Sequence, residues 1–266
     1  MNIEIKELVF AYPNGVLALE GVTVGIPTGS LVAIVGQNGA GKTTLVKHLN
    51  GLLRPTSGLV QIGDWDTRQR SVAELANRIG FIFQNPDDQL FCRTVKEEVQ
   101  FGPRSLGFEN DRIETLVEAA LELTELHEKA SHNPYDLSPA WRKMVALASI
   151  LAMDTPIVVM DEPTTGQDAV SIERISRIVQ SLHGSGKTVI AITHDIDFCA
   201  ENFERMIVMR QGMVVLDGPI QEVVAEREML ASTYVEQPQI TRLAKRLGFS
   251  TIVYKPDDFI RVLHDS

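Results

Sequence analysis

The sequence predicts an α/β fold built on a mostly parallel β-sheet. A continuous apolar run, Leu31–Val35, leads into a glycine-rich loop, and the residues from about Lys42 onward have the pattern of a helix. Three later runs share the same short apolar character and cover residues 79–83, 157–160 and 188–193. Continuous apolar runs are typical of parallel strands that helices bury on both faces.

The first 26 residues predict a different kind of sheet. Residues 3–9 and 16–26 have the pattern of short strands, and the turn sequence Pro13-Asn14-Gly15 lies between them. Two such runs joined by turn residues are typical of a β-hairpin. We therefore expect an N-terminal antiparallel β subdomain.

Helical periodicity appears between the apolar runs at 79–83 and 157–160. From residue 111 to 130 the apolar side chains recur at the three- and four-residue spacing of a helix. They are Ile113, Leu116, Val117, Ala120 and Leu121. A second helical pattern covers 139–152, so we interpret residues 87–155 as a helical subdomain inserted into the α/β core.

The last quarter of the chain predicts a hairpin followed by helices. Residues 205–218 have the pattern of two strands that turn at Gln211-Gly212. After about residue 220 the chain becomes helical and charged, and Pro238 and Pro256 are expected to break the helices.

Bulk composition argues against several classes of protein. The 266 residues carry a net charge of −10, whereas a nucleic-acid binder needs a basic face, so no nucleic-acid partner is expected. Two cysteines, Cys92 and Cys199, do not suggest a disulfide framework and favour a reducing, cytosolic location. The longest apolar stretch, 144–153, is about half of the roughly 20 residues that a membrane span requires. Any membrane is therefore expected to be reached through a partner.

A phosphate-binding loop is the most specific motif in the chain. Residues 36–43 fit the pattern G-x-x-x-x-G-K-[ST] and Thr44 follows; they are Gly36, Gln37, Asn38, Gly39, Ala40, Gly41, Lys42 and Thr43. Glycines let consecutive backbone N–H groups wrap a polyphosphate, and the helix N-terminus adds favourable dipole charge. Lys42 supplies a positive charge between the terminal phosphates, and the Thr43 hydroxyl suits Mg²⁺. An accidental glycine-rich turn is the alternative, but the motif's required strand before and helix after are both present.

Two adjacent carboxylates follow the apolar run at 157–160. Asp161 could hold the water shell of Mg²⁺ beside Thr43, and Glu162 could accept a proton from an attacking water. The strand at 188–193 similarly ends in His194, which is placed to contact the γ-phosphate and orient the catalytic carboxylate. The alternatives are that the two carboxylates form an ordinary acidic turn and that His194 is structural. Both alternatives are less favoured because the chain also contains the phosphate-loop motif.

These motifs together resemble the ATP-binding-cassette family of P-loop ATPases. Four further features occur in the family's order, namely Tyr12, Gln84, Leu137-Ser138 and Asp168. The resemblance implies an ATPase domain over residues 1–235 and a helical tail over 236–266. It also implies that Tyr12 stacks on adenine and that Gln84 touches the metal or its water. Members act as head-to-tail dimers, so Ser138 would contact the ATP held by the partner's phosphate loop.

Three segments resemble the energy-coupling factor ATPases that serve cobalt and vitamin importers. They cover residues 83–91, 94–102 and 237–247. The resemblance implies a transmembrane coupling protein, a substrate-binding membrane protein and a place at the cytoplasmic face of the membrane.

One segment departs from the family pattern. Where the family has L-S-G-G-Q, this chain has Leu137-Ser138-Pro139-Ala140-Trp141. Pro139 lacks an N–H group and Ala140 restricts the backbone, so we expect a heterodimer with a cassette that keeps the full segment. Two other functions stay open, a soluble cassette ATPase that works on ribosomes or DNA, and an ATP-gated subunit with weak catalysis.

Overall fold

A computed structural model describes residues 1–249 and 251–264 of the chain. Its strands are β1 Ile3–Ala11, β2 Leu17–Ile26, β3 Leu31–Val35, β4 Ser57–Ile62, β5 Trp65–Asp66, β6 Ile79–Ile82, β7 Ile157–Asp161, β8 Thr188–Ile192, β9 Arg205–Arg210 and β10 Met213–Pro219. One sheet has the order β2-β1-β4-β5 and is antiparallel. The other has the order β10-β9-β3-β8-β7-β6 and is parallel except for β10. The predicted α/β class, with a mostly parallel sheet and an antiparallel N-terminal sheet, is confirmed.

Eleven α-helices occur in the part of the chain that the structure describes. They are α1 Lys42–Leu49, α2 Val72–Leu75, α3 Val95–Ser105, α4 Asn110–Leu123, α5 Pro139–Leu151, α6 Ala169–Gly184, α7 Ile196–Asn202, α8 Ile220–Ala225, α9 Arg227–Ser232, α10 Gln239–Arg246 and α11 Pro256–His264. Short 3₁₀ turns cover Thr67–Gln69, Pro86–Asp88, His127–Lys129 and Pro134–Asp136. As predicted, helices α3 to α5 lie between β6 and β7 in the chain, and α3 begins at a capping box formed by Thr94 and Glu97.

One predicted helix boundary differs from the structure. The helical pattern at 111–130 is divided, because α4 ends at Leu123 and Glu125 has a φ of 58°, which no α-helix allows. Pro238 and Pro256 separate helices as predicted, because Pro238 directly precedes α10 and Pro256 is the first residue of α11. A proline is tolerated in the first helical turn because the N–H group it lacks has no partner there.

The parallel sheet is buried on both faces. Along β3, Leu31, Ala33 and Val35 pack into one apolar cluster, whereas Val32 and Ile34 pack into another. This alternation follows from the pleat of a strand, in which successive side chains point to opposite faces. The first cluster also contains the inward faces of α3, α4 and α5, so the helical segment is packed onto one side of the sheet.

The carboxyl ends of four strands meet at one edge of this sheet. Val35 ends β3, Ile82 ends β6, and Asp161 at the end of β7 pairs with Ile192 at the end of β8. The loops that follow these strands therefore converge, as expected at the ligand-binding edge of an open α/β sheet.

The C-terminal helices have a small core of their own. Ala244, Val253 and Phe259 form a separate buried cluster between α10 and α11. Among the residues described, no helix combines the length and the apolar character that a membrane crossing demands.

Candidate nucleotide-binding site

The phosphate loop adopts a backbone that only glycine tolerates at two positions. Gly36 has a φ of 148°, and a Cβ there would clash with the carbonyl oxygen of Met209 on β9. Gly41, with a φ of 98°, directly precedes α1, and a Cβ there would lie 2.7 Å from the carbonyl oxygen of Ala18. The glycines of the motif thus allow the loop to pass close to neighbouring strands before the helix begins.

Lys42 lies inside this loop. Its Nζ donates hydrogen bonds to the carbonyl oxygens of Gly36 at 2.7 Å and Gln37 at 3.1 Å. Burial lowers the pKa of Lys42, and the negative charges of Glu162 and Asp161 oppose that shift. The loop therefore brings a partly desolvated cation to the N-terminus of α1, where a polyphosphate is bound favourably.

Asp161 joins β7 to the phosphate loop. The Thr43 hydroxyl donates to Oδ1 of Asp161 at 3.2 Å, although 118 residues separate the two. Burial raises the pKa of Asp161, the bond from Thr43 lowers it, and the adjacent Glu162 raises it again. A hydroxyl and a carboxylate at this distance are oxygen donors of the type that a divalent cation prefers.

Glu162 contacts His194 across the ends of β7 and β8. Oε2 of Glu162 lies 2.8 Å from Nδ1 of His194 and accepts a hydrogen bond from the Thr165 hydroxyl at 3.2 Å. The backbone of Glu162 has a φ of 49°, and its N–H donates to the carbonyl oxygen of Ile192 at 2.7 Å. A non-glycine residue in this region costs on the order of 1–3 kcal/mol, and such strain is common at functional sites.

A cleft of about 370 Å³ brings most of the predicted residues together. It is lined by Tyr12, Val16, Leu17, Ala18, Asn38, Gly39, Gly41, Lys42, Thr43, Thr44, Gln84 and Glu162. The Tyr12 hydroxyl lies 2.9 Å from the Thr44 hydroxyl, so Tyr12 contacts the first turn of α1. Four predicted residues are not among the lining residues, namely Gly36, Gln37 and Ala40 of the phosphate loop and Asp161 at the end of β7.

Sequence reasoning missed one apolar wall of the cleft. Val16 and Leu17 are 56% and 52% exposed, although aliphatic side chains at the start of a strand are commonly buried. They lie opposite the phosphate loop, where an apolar group such as a nucleobase could cover them. An aliphatic pair directly after the Pro13-Asn14-Gly15 turn was the available signal.

His194 and Ser138 also lie outside the lining of this cleft. His194 reaches it only through Glu162. Ser138 is the residue before α5, as its sequence predicts, but its hydroxyl makes no capping hydrogen bond to that helix. Asp168, in contrast, caps α6 by accepting from the Ser171 N–H at 2.8 Å.

The segment that departs from L-S-G-G-Q, residues 137–141, contacts neighbouring elements through Trp141. The Trp141 ring has Lys129 Nζ 4.1 Å from its centre and the Arg174 guanidinium 4.8 Å away. These cation–π contacts join the start of α5 to α6. Larger cavities occur near the C-terminal helices, but they contain none of the phosphate-loop residues.

Comparison with known proteins assigns the family. The family model described as ABC transporter matches residues 19–165, which is more than half of the chain. The chain belongs to the ABC transporter family of ATPases. The matched residues include the phosphate loop and the adjacent carboxylates Asp161 and Glu162.

Curated relatives match along almost the whole chain. A putative ABC transporter ATP-binding protein of Methanosarcina acetivorans is 42% identical over 250 residues, which are 93% of this chain but only 41% of that protein. This ABC ATPase thus spans about two fifths of the length of that relative. The energy-coupling factor transporter ATP-binding protein EcfA of Methanocaldococcus jannaschii is 37% identical over 92% of this chain and 89% of its own length.

Solved structures support the same assignment. CbiO1 from Clostridium perfringens, titled as part of the ABC transporter complex cbiONQ, has a TM-score of 0.78 and 32% identity, covering 93% of this chain and 98% of its own. The cassette MJ0796, in a dimeric structure bound to ADP and Pi, has a TM-score of 0.74 and 29% identity, covering 82% and 98%. The predicted resemblance to energy-coupling factor ATPases is confirmed by the EcfA and CbiO1 matches.

Proposed function

We propose that this ABC ATPase powers an importer of the energy-coupling factor type, which takes up a vitamin or a metal ion through membrane partner subunits. The observation that carries the proposal is the match to CbiO1 over 93% of the chain, since that protein is part of a transporter complex. The match to EcfA over 92% of the chain supports the same class. The ATPase domain is proposed to span residues 1–235 and the helical tail 236–266.

Hydrolysis is proposed to use Glu162 as the general base. Its carboxylate is held by the His194 ring at 2.8 Å and by the Thr165 hydroxyl at 3.2 Å, so it has a defined orientation at the edge of the cleft. A base must be oriented before it can accept a proton from water in the transition state. His194 orients Glu162 and contacts the γ-phosphate, Lys42 binds the terminal phosphates, and Tyr12 stacks on the base of the nucleotide.

The residues at the cleft are suited to a magnesium ion that is coordinated mainly by the phosphates of a bound nucleotide. No group of three or more histidine, cysteine or acidic side chains suited to a metal occurs within residues 1–249 and 251–264. Mg²⁺ bound with a nucleotide needs only one or two protein ligands besides phosphate and water oxygens. The Thr43 hydroxyl and the Asp161 carboxylate, 3.2 Å apart, would supply them, with Gln84 beside them. When bound, the ion would neutralise charge on the phosphates.

The membrane partner is proposed to bind the surface formed by residues 85–102. Phe91 and Phe101 are 60% and 48% exposed, and their rings meet edge to face at 4.7 Å. Tyr135 is also exposed, and its hydroxyl donates to the carbonyl oxygen of Leu90 at 2.6 Å. An exposed aromatic pair suits an apolar helix end of a transmembrane coupling protein, which would hold this ABC ATPase at the cytoplasmic face of the membrane.

The second cassette of the dimer is proposed to be a different chain. The dimeric MJ0796 structure supports dimerisation, and Pro139 and Ala140 support a partner that retains the full L-S-G-G-Q segment. An ATP-gated subunit with weak catalysis is the second candidate, which the same substitutions favour.

Purification from membranes tests the proposed function. An affinity-tagged chain expressed in its own cell is captured after detergent solubilisation, and its partners are identified by mass spectrometry. We expect a second cassette and two integral membrane proteins, and uptake of one vitamin or metal ion that requires all of them. Capture of ribosomal or DNA-bound proteins in their place would favour the soluble alternative.

A further inference from the structure

Lys143 is a lysine in the interior of the protein. It lies on α5, is 1% exposed, and donates hydrogen bonds from Nζ to the carbonyl oxygens of Phe83 at 3.1 Å and Gln84 at 2.7 Å. Burial lowers the pKa of Lys143 to about 8, against the attraction of Asp161 and Glu162. An ammonium group is costly to bury, so a residue needed only for packing would be apolar.

The two carbonyl groups belong to the loop that carries Gln84 into the nucleotide cleft. In residues 1–249 and 251–264 the Gln84 side chain forms no hydrogen bond, so the position of its main chain decides where it enters the cleft. Gln89 holds the same loop, since its Oε1 accepts from the Phe83 N–H at 3.3 Å and its Nε2 donates to the Ala146 carbonyl oxygen at 2.8 Å. Ala146 also lies on α5, so this helix holds the loop at two points.

We propose that Lys143 is a positioning residue for ATP hydrolysis, which ties the Gln84 loop to α5 through the Phe83 and Gln84 carbonyl groups. Ser138 directly precedes the same helix, five residues before Lys143, or about 7.5 Å along the helix axis. One rigid segment therefore connects the residue expected to contact the partner's ATP with the loop that lines this chain's own cleft. The proposal concerns hydrolysis itself and does not depend on the importer assignment.

Loss of the ammonium group is expected to affect turnover more than nucleotide affinity. Methionine at position 143 fills a similar volume but removes the donor from two partly buried carbonyl groups. The loop then shifts and Gln84 is misplaced, whereas Lys42 and Tyr12, which hold the nucleotide, stay in position. An interaction that matters mainly in the transition state lowers kcat with little change in KM.

Steady-state ATPase kinetics test the proposal, with the chain in the dimer that it forms in the cell. We expect Lys143→Met to lower kcat by about tenfold or more while the KM for ATP changes less than about threefold. Lys143→Arg keeps the charge and the donors, so it is expected to recover most of the lost kcat. Lys187→Met is the matched control, because Lys187 bonds Asp154 at 2.7 Å and the Thr155 carbonyl oxygen at 2.9 Å, away from the cleft.

Thermal unfolding of every variant separates positioning from folding. If Lys143→Met does not fold, Lys143→Leu, which also lacks a donor, is measured by the same criteria. A kcat within about twofold of wild type in the folded neutral variant would overturn the proposal. A change confined to KM would also overturn it, as would equal loss of kcat in the folded arginine and neutral variants.

Discussion

Nδ1 of His194 lies 2.8 Å from Oε2 of Glu162, although 32 residues separate them in the chain. The contact exists because β7 and β8 are parallel neighbours whose carboxyl ends are in register, with Asp161 paired to Ile192. The Glu162 side chain is 9% exposed and the His194 side chain 66% exposed, so the ring shields the carboxylate while staying open to solvent. This geometry suits a general base, because His194 orients the Glu162 carboxylate from one side and leaves its other side open to the nucleotide.

Replacing Glu162 with glutamine is expected to stop turnover and keep ATP bound. Glutamine preserves the shape but cannot accept the proton, so the steady-state ATPase rate should fall by roughly 10²- to 10⁴-fold. The variant should accumulate as a dimer with nucleotide between the cassettes, which size-exclusion chromatography with light scattering would detect. Glu204→Gln, a change at an exposed residue, is the control, and a wild-type rate in Glu162→Gln would contradict the assigned base.

Replacing Lys42 with alanine is expected to abolish tight binding of Mg-ATP. The lysine is the cation of the phosphate loop, and losing a charge-assisted bond to phosphate costs about 1.5–3 kcal/mol, or roughly ten- to a hundredfold in affinity. Equilibrium titration with a fluorescent ATP analogue measures this loss, and the unfolding temperature should stay close to wild type. Lys6→Ala serves as the exposed control, and unchanged ATP affinity in Lys42→Ala would mean that the loop is wrongly assigned.

A cysteine at Phe91 or Asp88 is expected to cross-link to a transmembrane protein. Native Cys92 is first replaced by serine, although burial and nearby Glu98 raise the pKa of its thiol to about 11, which leaves it poorly reactive. Membranes treated with a thiol-to-amine cross-linker should then yield one membrane-protein adduct. A cysteine at exposed Glu109 is the control position, and capture of soluble complexes from Phe91→Cys would count against the membrane partner.

Restoring the family segment is expected to make this chain active as a homodimer. Pro139 cannot donate a hydrogen bond, and loss of one such bond to phosphate slows a site by roughly ten- to a hundredfold if it forms mainly in the transition state. The triple change Pro139→Gly, Ala140→Gly and Trp141→Gln should therefore raise the ATPase rate of the purified chain by that factor. In a heterodimer the site built on Lys42 should be equally fast with or without the change. Full activity of the unaltered chain as an ATP-dependent homodimer would refute the proposal that the second cassette of the dimer is a different chain.

The sequence alone was sufficient for features that depend on neighbouring residues. Residues 36–43 form one continuous segment, so their glycines, Lys42 and Thr43 could be recognised as a phosphate-loop motif without any knowledge of the fold. The buried strands were equally readable, because a strand covered on both faces needs an unbroken apolar run. Helix ends were harder to predict, because nothing in the helical periodicity around Glu125 indicates that this residue has a positive φ.

The tertiary structure decided which distant residues meet and what each contact does. Thr43 reaches Asp161, Glu162 reaches His194, and Lys143 reaches the Gln84 carbonyl only because the sheet order places these loops and α5 at one edge. Lys143 shows most clearly what the sequence does not reveal, because in the sequence it is simply a basic residue next to Arg142. Its burial and its two main-chain partners arise from the packing of α5 against the end of β6, which no local pattern encodes.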